Sequence, residues 1–240
     1  PMTIPALVML HRAASAPPAM GEGRGLGPVD PFAAGREVIW TSEAAAAGRA
    51  SLSGAFEIAA FPHTETLVVL AGELTVSVEG APVLTIGPDA AVVIGQGTTL
   101  RVQAAPGTVL AFHAQTAGTS AMPGATPITR DLPLSPSTPP AAEVLLGPSP
   151  QCRSHNVFTD EAVQLRAGLW DSTPYARISR PHRLAELMHI LEGAVDLTMA
   201  DGTVVTVAKG ETVFVPQGAP CAWTSRVHVA KVYVVQETVG

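Results

Sequence analysis

Adding 121 to the residue number lays residues 61–102 onto 182–223 without a gap. Glu65 lands on Glu186, Leu70 on Leu191, Gly72 on Gly193, Val83 on Val204, Thr85 on Thr206, Val92 on Val213, and the pair Gln96 and Gly97 on Gln217 and Gly218. Conservative pairs fill the intervals, Ser77 with Thr198 and Ile86 with Val207 among them. A gapless match of this length is the mark of a duplicated unit of roughly 100 residues, so whatever the unit folds into, the chain contains twice.

The unit reads as all-β. In the first copy "FEIAAF", "TLVVLAGELTVSVEG", "VLTIG", "AAVVIG" and "TVLAFHA" are apolar or β-branched runs bounded by Gly, Pro or Asp. In the second, "LEGAVDLTMADGTVVTVAKGETVFVPQGAP" alternates strand and turn, with Asp201 and Gly202 suited to a hairpin. "LMHILEG" and "TLVVLAG" are apolar at both parities, so both faces of those strands require cover from a second sheet, a partner domain or another subunit. This is the pattern of a β-barrel. Residues 1–35 are rich in Pro, Gly and Ala and read as an N-terminal arm, and residues 117–143 as a Pro-rich linker. The barrels are then expected at 36–116 and 144–240.

Composition narrows the function classes. With 240 residues, 47% of them hydrophobic and only 14% charged, the chain buries a sizeable core. A net charge of -6 without a cluster of Lys or Arg argues against nucleic acid or an anionic membrane as partner. Two cysteines make no disulfide scaffold and point to a reducing compartment, the cytoplasm. The apolar run in "PMTIPALVML" has no preceding Lys or Arg and is interrupted by Pro5, so no signal peptide is expected, nor does any segment approach the ~20 apolar residues of a membrane helix.

Within "SRPHRLAELMHILEG", His182 stands four residues before Glu186 in a run that otherwise reads as core. An imidazole and a carboxylate on one face are half of a metal site, or the polar part of a ligand pocket. His189, of opposite parity, is directed elsewhere and reads as packing. Cys152 and His155 lack a second pair at ligand spacing and read as surface. The plain alternative is a rim histidine, a carboxylate paired with Arg180 or Arg183, and a Cys221 that is a small buried hydrophobe.

His182, Glu186 and Gly193, followed by Gly210, Pro216 and Gly218, match the spacing of the two cupin motifs, so the chain resembles a bicupin. Arg180 and Cys221 stand where that family has its first and last histidines. "GLW" at 168–170, "CAW" ending at Trp223 and "KVYVV" from Lys231 resemble the cupin branch named for ureidoglycine aminohydrolase. The resemblance covers most of residues 150–240 and, more weakly, 36–115. It implies two jelly-roll barrels, often a homodimer, and a divalent metal (Zn, Mn, Fe or Ni) inside a barrel whose ligands are intact.

In the second barrel the candidate ligands are His182, Glu186 and Cys221, a set that suits zinc with one position open. Arg180 has no lone pair to give; it opposes a cation and suits a clamp on a substrate carboxylate or a pair with Glu186. Arg180, His182, Trp223 and Tyr233 form the candidate ligand-binding set, and Glu186, if not a ligand, is the candidate proton carrier. In the first barrel the equivalents of Arg180, His182, Glu186 and Cys221 are Ala59, Phe61, Glu65 and Leu100, which predicts a dry apolar interior without metal, His63 lying off the ligand position.

Three functions fit these residues. One is a bicupin that binds a small carboxylate- or amide-bearing metabolite in the C-terminal barrel. Another is a metal-dependent aminohydrolase-like enzyme, and the third is a noncatalytic scaffold or regulatory subunit. Whether the chain is an enzyme at all stays open among them.

Overall fold

The computed structural model describes residues 3–19, 25–117 and 121–239, and nearly all of its regular structure is strand. The chain divides into two compact units, Ala14–Arg130 and Pro1–Ala13 with Asp131–Gly240. Each is all-β, as the periodicity predicts, and a jelly roll, as the family resemblance implies. No helix among the described residues is long and apolar enough to cross a membrane.

In the first unit two long strands, Ala45–Ile58 and Leu100–Gln115, run antiparallel to each other, with a register slip between Leu52 and Gly54. Gly54 (φ +91°) and Gly107 (φ +80°) occupy the left-handed region there, which glycine enters without a Cβ penalty. Beyond the bend, Leu100–Gln115 pairs with Leu74–Val78 on one side of Gly107 and with Thr64–Ala71 on the other, so the ribbon wraps around its own core. Phe61, Phe112, Leu67 and Leu74 fill that core.

The second unit is a sandwich. Seven strands in the order Val8–His11, Thr212–Val215, Ala185–Glu192, Val229–Gln236, Leu165–Ser172, Cys152–Asp160 and Ser135–Ser137 form one sheet. Tyr175–Pro181, Pro220–Ser225, Ala194–Met199 and Val204–Ala208 form the other. Met188, Ile190 and Val213 of the first sheet pack against Leu197, Val207 and Trp223 of the second. That is the cover the two-sided apolar strands require.

Both flanking segments depart from expectation. Residues 8–11 of the predicted arm pair with Thr212–Val215, Leu10 is buried, and Asp30 and Phe32 fold into the first unit. In the predicted linker, Ala125–Ile128 pairs with Ala91–Ile94, and Ser135–Ser137 with Cys152–Ser154. Residues 1–2 and 20–24 of the arm and 118–120 of the linker lie outside the described residues. Composition missed these strands because all three are sheet edges, where a proline such as Pro127 or Pro136 forfeits no ladder bond it needs. Thr212–Val215 is the repeat partner of Ala91–Ile94, so the outer side of the same strand is covered in each copy, once from residues 125–128 and once from residues 8–11.

Candidate functional site

The polar centre of the second barrel is built across three neighbouring strands. Glu186 lies opposite Val235, and Lys231 opposite both Ile190 and Trp170, so alternate residues of each strand share the inner face: Glu186 and Met188, Lys231 and Val235, Arg166 and Trp170. His182 sits in the bend before Ala185–Glu192, its N–H bonded to the Ala219 carbonyl and its own carbonyl to the Gly218 N–H. That pins the ring over the strand.

His182 Nε2 donates to Glu186 Oε1 at 3.0 Å and Lys231 Nζ to Glu186 Oε2 at 2.9 Å. The ammonium also meets Met188 Sδ at 3.2 Å and lies 4.6 Å from the Trp170 ring centre and 5.3 Å from that of Trp223. The Glu186 side chain is 12% exposed. Burial alone pushes its carboxyl up, but the Lys231 charge and the His182 hydrogen bond outweigh that and hold it down at about 2. At neutral pH Glu186 is therefore a fixed anion with little tendency to take up a proton.

A cavity of about 510 Å³ opens over this centre. Arg180, His182, Glu186, Cys221 and Trp223 all line it, so five of the six residues singled out from the sequence converge. Tyr233 lines an adjoining recess instead and donates its hydroxyl to Asn156 Oδ1 at 3.0 Å; burial pushes its pKa up to about 12. Trp223 stacks on Tyr175 (5.5 Å, 13°) and meets Trp170 edge-on (5.7 Å, 85°), giving the cavity an aromatic wall. His189 is fully buried off the cavity, hydrogen-bonded to Thr212.

Two expectations change. Arg180 is exposed and makes no ion pair among the described residues; the cation on Glu186 is Lys231. The reason is topological, since Lys231 comes from a strand flanking Ala185–Glu192 and Arg180 from the opposite sheet. The expected ligand set also fails to assemble. His182 and Glu186 are spent on each other and on an ammonium, while burial pushes the Cys221 thiol up and its Sγ meets only the Ala222 carbonyl, at 3.5 Å. Among the described residues no three His, Cys, Asp or Glu side chains converge as a metal site requires. The residues present do not fit a divalent ion, because a protonated amine both lacks a lone pair and repels a second cation.

The sequence reading missed Arg177, Tyr175 and the role of Lys231. Arg177 is 6% exposed and lines the cavity beside Arg180.

The first barrel's interior is not the dry apolar cavity expected. Arg36 donates to both oxygens of Glu65, each at 2.7 Å, and to both of Asp30, at 2.7 and 3.0 Å, with the side chains of all three wholly buried. His63 Nε2 donates to Glu65 at 2.7 Å, and the guanidinium lies 4.5 Å from the Phe112 ring centre. Burial raises the Glu65 carboxyl and Arg36 more than offsets it, holding it at about 2. The polar network escaped the alignment because Arg36 lies outside the repeated stretch.

Residues 159–233 match the family model of the EutQ-like cupin domain. A protein of unknown function from Pseudomonas syringae pv. tomato, of the DUF861 family, is 42% identical over 97% of this chain and all of its own, with a TM-score of 0.90. A cupin 2 conserved barrel domain protein from Leptotrichia buccalis (15% identical, 83% of this chain and 87% of that one, TM-score 0.58) shares the fold. So does YlbA from E. coli, also of the DUF861 family (12% identical, 88% and 90%, TM-score 0.50). No curated protein matches the chain.

Proposed function

The chain is a cupin and belongs to the DUF861 family, and from that premise we propose that its C-terminal barrel binds a small organic anion, a carboxylate-bearing metabolite. One observation carries the reading. Arg166, Arg177, Arg180, Arg183 and Lys231 line the cavity against a single carboxylate, Glu186, in a chain whose net charge is -6. Arg177 and Lys231 are buried and Arg166, Arg180 and Arg183 are exposed, and five cations against one anion attract negative charge and reject positive charge. The indole and phenol rings of Trp170, Trp223 and Tyr175 supply the surface for the ligand's apolar part.

Binding is favoured over metal-dependent hydrolysis by the same residues. An ammonium supplies the positive charge beside Glu186, and a carboxyl held at about 2 makes a weak general base. The charge surplus inside a cavity, rather than on an outer face, favours ligand binding over a scaffold role.

Thermal shift with matched panels of small carboxylates and amines tests this. At a hundred times its Kd a ligand stabilises by about 2.7 kcal/mol, so carboxylates raise Tm by several degrees and Lys231→Met weakens the effect. A Tm raised by amines and not by carboxylates removes the proposal.

A further inference from the structure

Arg177 is a guanidinium without a counter-ion among the described residues. Nη1 donates to two main-chain carbonyls, Cys221 at 2.7 Å and Ile178 at 3.2 Å, and no carboxylate among the described residues forms an ion pair with it. The one carboxylate of the cavity, Glu186, is already held by Lys231 and His182. Nε and Nη2, the side-on edge of the guanidinium, have no hydrogen-bond acceptor among the described residues. Charged groups this deeply buried are normally paired, since desolvation is otherwise uncompensated.

Its placement has a local cause. Arg177 lies opposite Trp223 but Arg180 opposite Cys221, three residues against two, so a bulge interrupts the Tyr175–Pro181 strand. Without it, positions 177 and 180 would face opposite sides of the sheet; the extra residue brings both arginines to the cavity. Two like charges are thereby held near each other, an arrangement that an anion between them relieves.

We propose that Arg177 is the anchor for the ligand's carboxylate, which completes its ion pair through the free Nε and Nη2 edge while Arg180 closes on it from the exposed side. The inference rests on the anion-binding reading and assigns it a point of attachment. A planar carboxylate matches a side-on guanidinium edge with two parallel hydrogen bonds. The ligand's body then extends along Tyr175 and Trp223, so a monocarboxylate with an apolar tail or ring is the expected class.

Titration calorimetry on the full chain with hexanoate, phenylacetate, their amides and inorganic phosphate separates the outcomes. The carboxylates bind and the amides do not. Arg177→Gln lowers carboxylate affinity at least 30-fold, and Arg177→Lys, which keeps the charge and loses the fork, about 10-fold. Arg180→Gln, at an exposed position that leaves folding intact, lowers it about 5-fold and decides the matter if Arg177→Gln does not fold. Arg226→Gln, outside the cavity, leaves it unchanged. Carboxylate binding untouched by Arg177→Gln and Arg180→Gln would overturn the anchor while leaving the anion pocket standing. Phosphate binding more tightly than either carboxylate overturns the ligand class. No binding of any anion overturns the pocket and the anchor together.

Discussion

Arg36→Met in the first barrel is the most demanding test of the electrostatics. The guanidinium is the shared cation of Glu65 and Asp30, through four hydrogen bonds of 2.7–3.0 Å, in a site none of whose three side chains reaches water. Without it, Asp30 keeps the Leu26 and Phe32 N–H groups and Glu65 keeps His63, but two buried carboxylates lose their counter-charge. Breaking one buried pair costs about 3–5 kcal/mol, and here one cation serves two anions, so a loss of roughly 5 kcal/mol is expected. That is a large share of the 5–15 kcal/mol typical of a domain, and corresponds to a fall in Tm of more than ~10 °C for this unit. The pH dependence also reverses. In the wild type, Glu65 sits at about 2, below the ordinary 4.5, so its contribution is complete above 4.5 and is lost as pH falls toward 2. In Arg36→Met only His63 still opposes the burial of Glu65, so the carboxyl rises above 4.5 and acidification from pH 7 to 5 stabilises the variant. Urea unfolding read from Trp40, the one tryptophan of this unit, measures both effects once Trp170 and Trp223 are replaced by Phe. A loss below 1 kcal/mol, or a variant that weakens on acidification as the wild type does, refutes the argument.

Deleting residues 1–13 strips the outer ladder from Thr212–Val215 and removes buried Leu7 and Leu10 and the Arg12–Glu211 ion pair (3.1 Å). Amide exchange should accelerate across Thr212–Val215 and stay slow across Ala91–Ile94, whose cover comes from Ala125–Ile128; equal protection before and after deletion contradicts the pairing. In the full chain Glu65 and Glu186, both at about 2, each contribute on the order of 3 kcal/mol that is present above pH 4.5 and disappears toward pH 2. Urea midpoints measured between pH 5 and 2.5 should fall steeply, and Glu65→Gln and Glu186→Gln should each flatten part of the slope.

Much of the fold is visible in the sequence because the duplication samples the same pattern twice. The gapless offset, the Gly and Pro turns and the two-sided apolar strands all depend on local periodicity, which survives into the structure. Parity also separates Glu186 from His189 correctly. The edge strands in the predicted arm and linker are not local: residues 8–11 become a strand only because Thr212–Val215, 200 residues away, offers its open side. The site fails to be legible for related reasons. Arg177 is hidden by a bulge that parity cannot anticipate, and Lys231 and Arg36 reach their glutamates only through strand order.

The partners gathered around the repeated glutamate, and the cations left over, explain why the two interiors differ in what they can do. Each copy meets the cost of burying it with one cation and one imidazole, yet the partners are not equivalent in sequence. Glu65 takes Arg36 and the histidine two residues before it; Glu186 takes Lys231 and the histidine four before it. The requirement inherited through the duplication is thus a compensated carboxylate, and the choice of partner is free. In the first barrel Arg36 is saturated by a second carboxylate, Asp30, and phenyl rings complete the enclosure. In the second the corresponding pair is balanced, but Arg177 and Arg180 remain in the cavity with no ion pair among the described residues. Two barrels of one design therefore diverge by a surplus of positive charge, and it is the surplus, not the shared glutamate, that a ligand would complete.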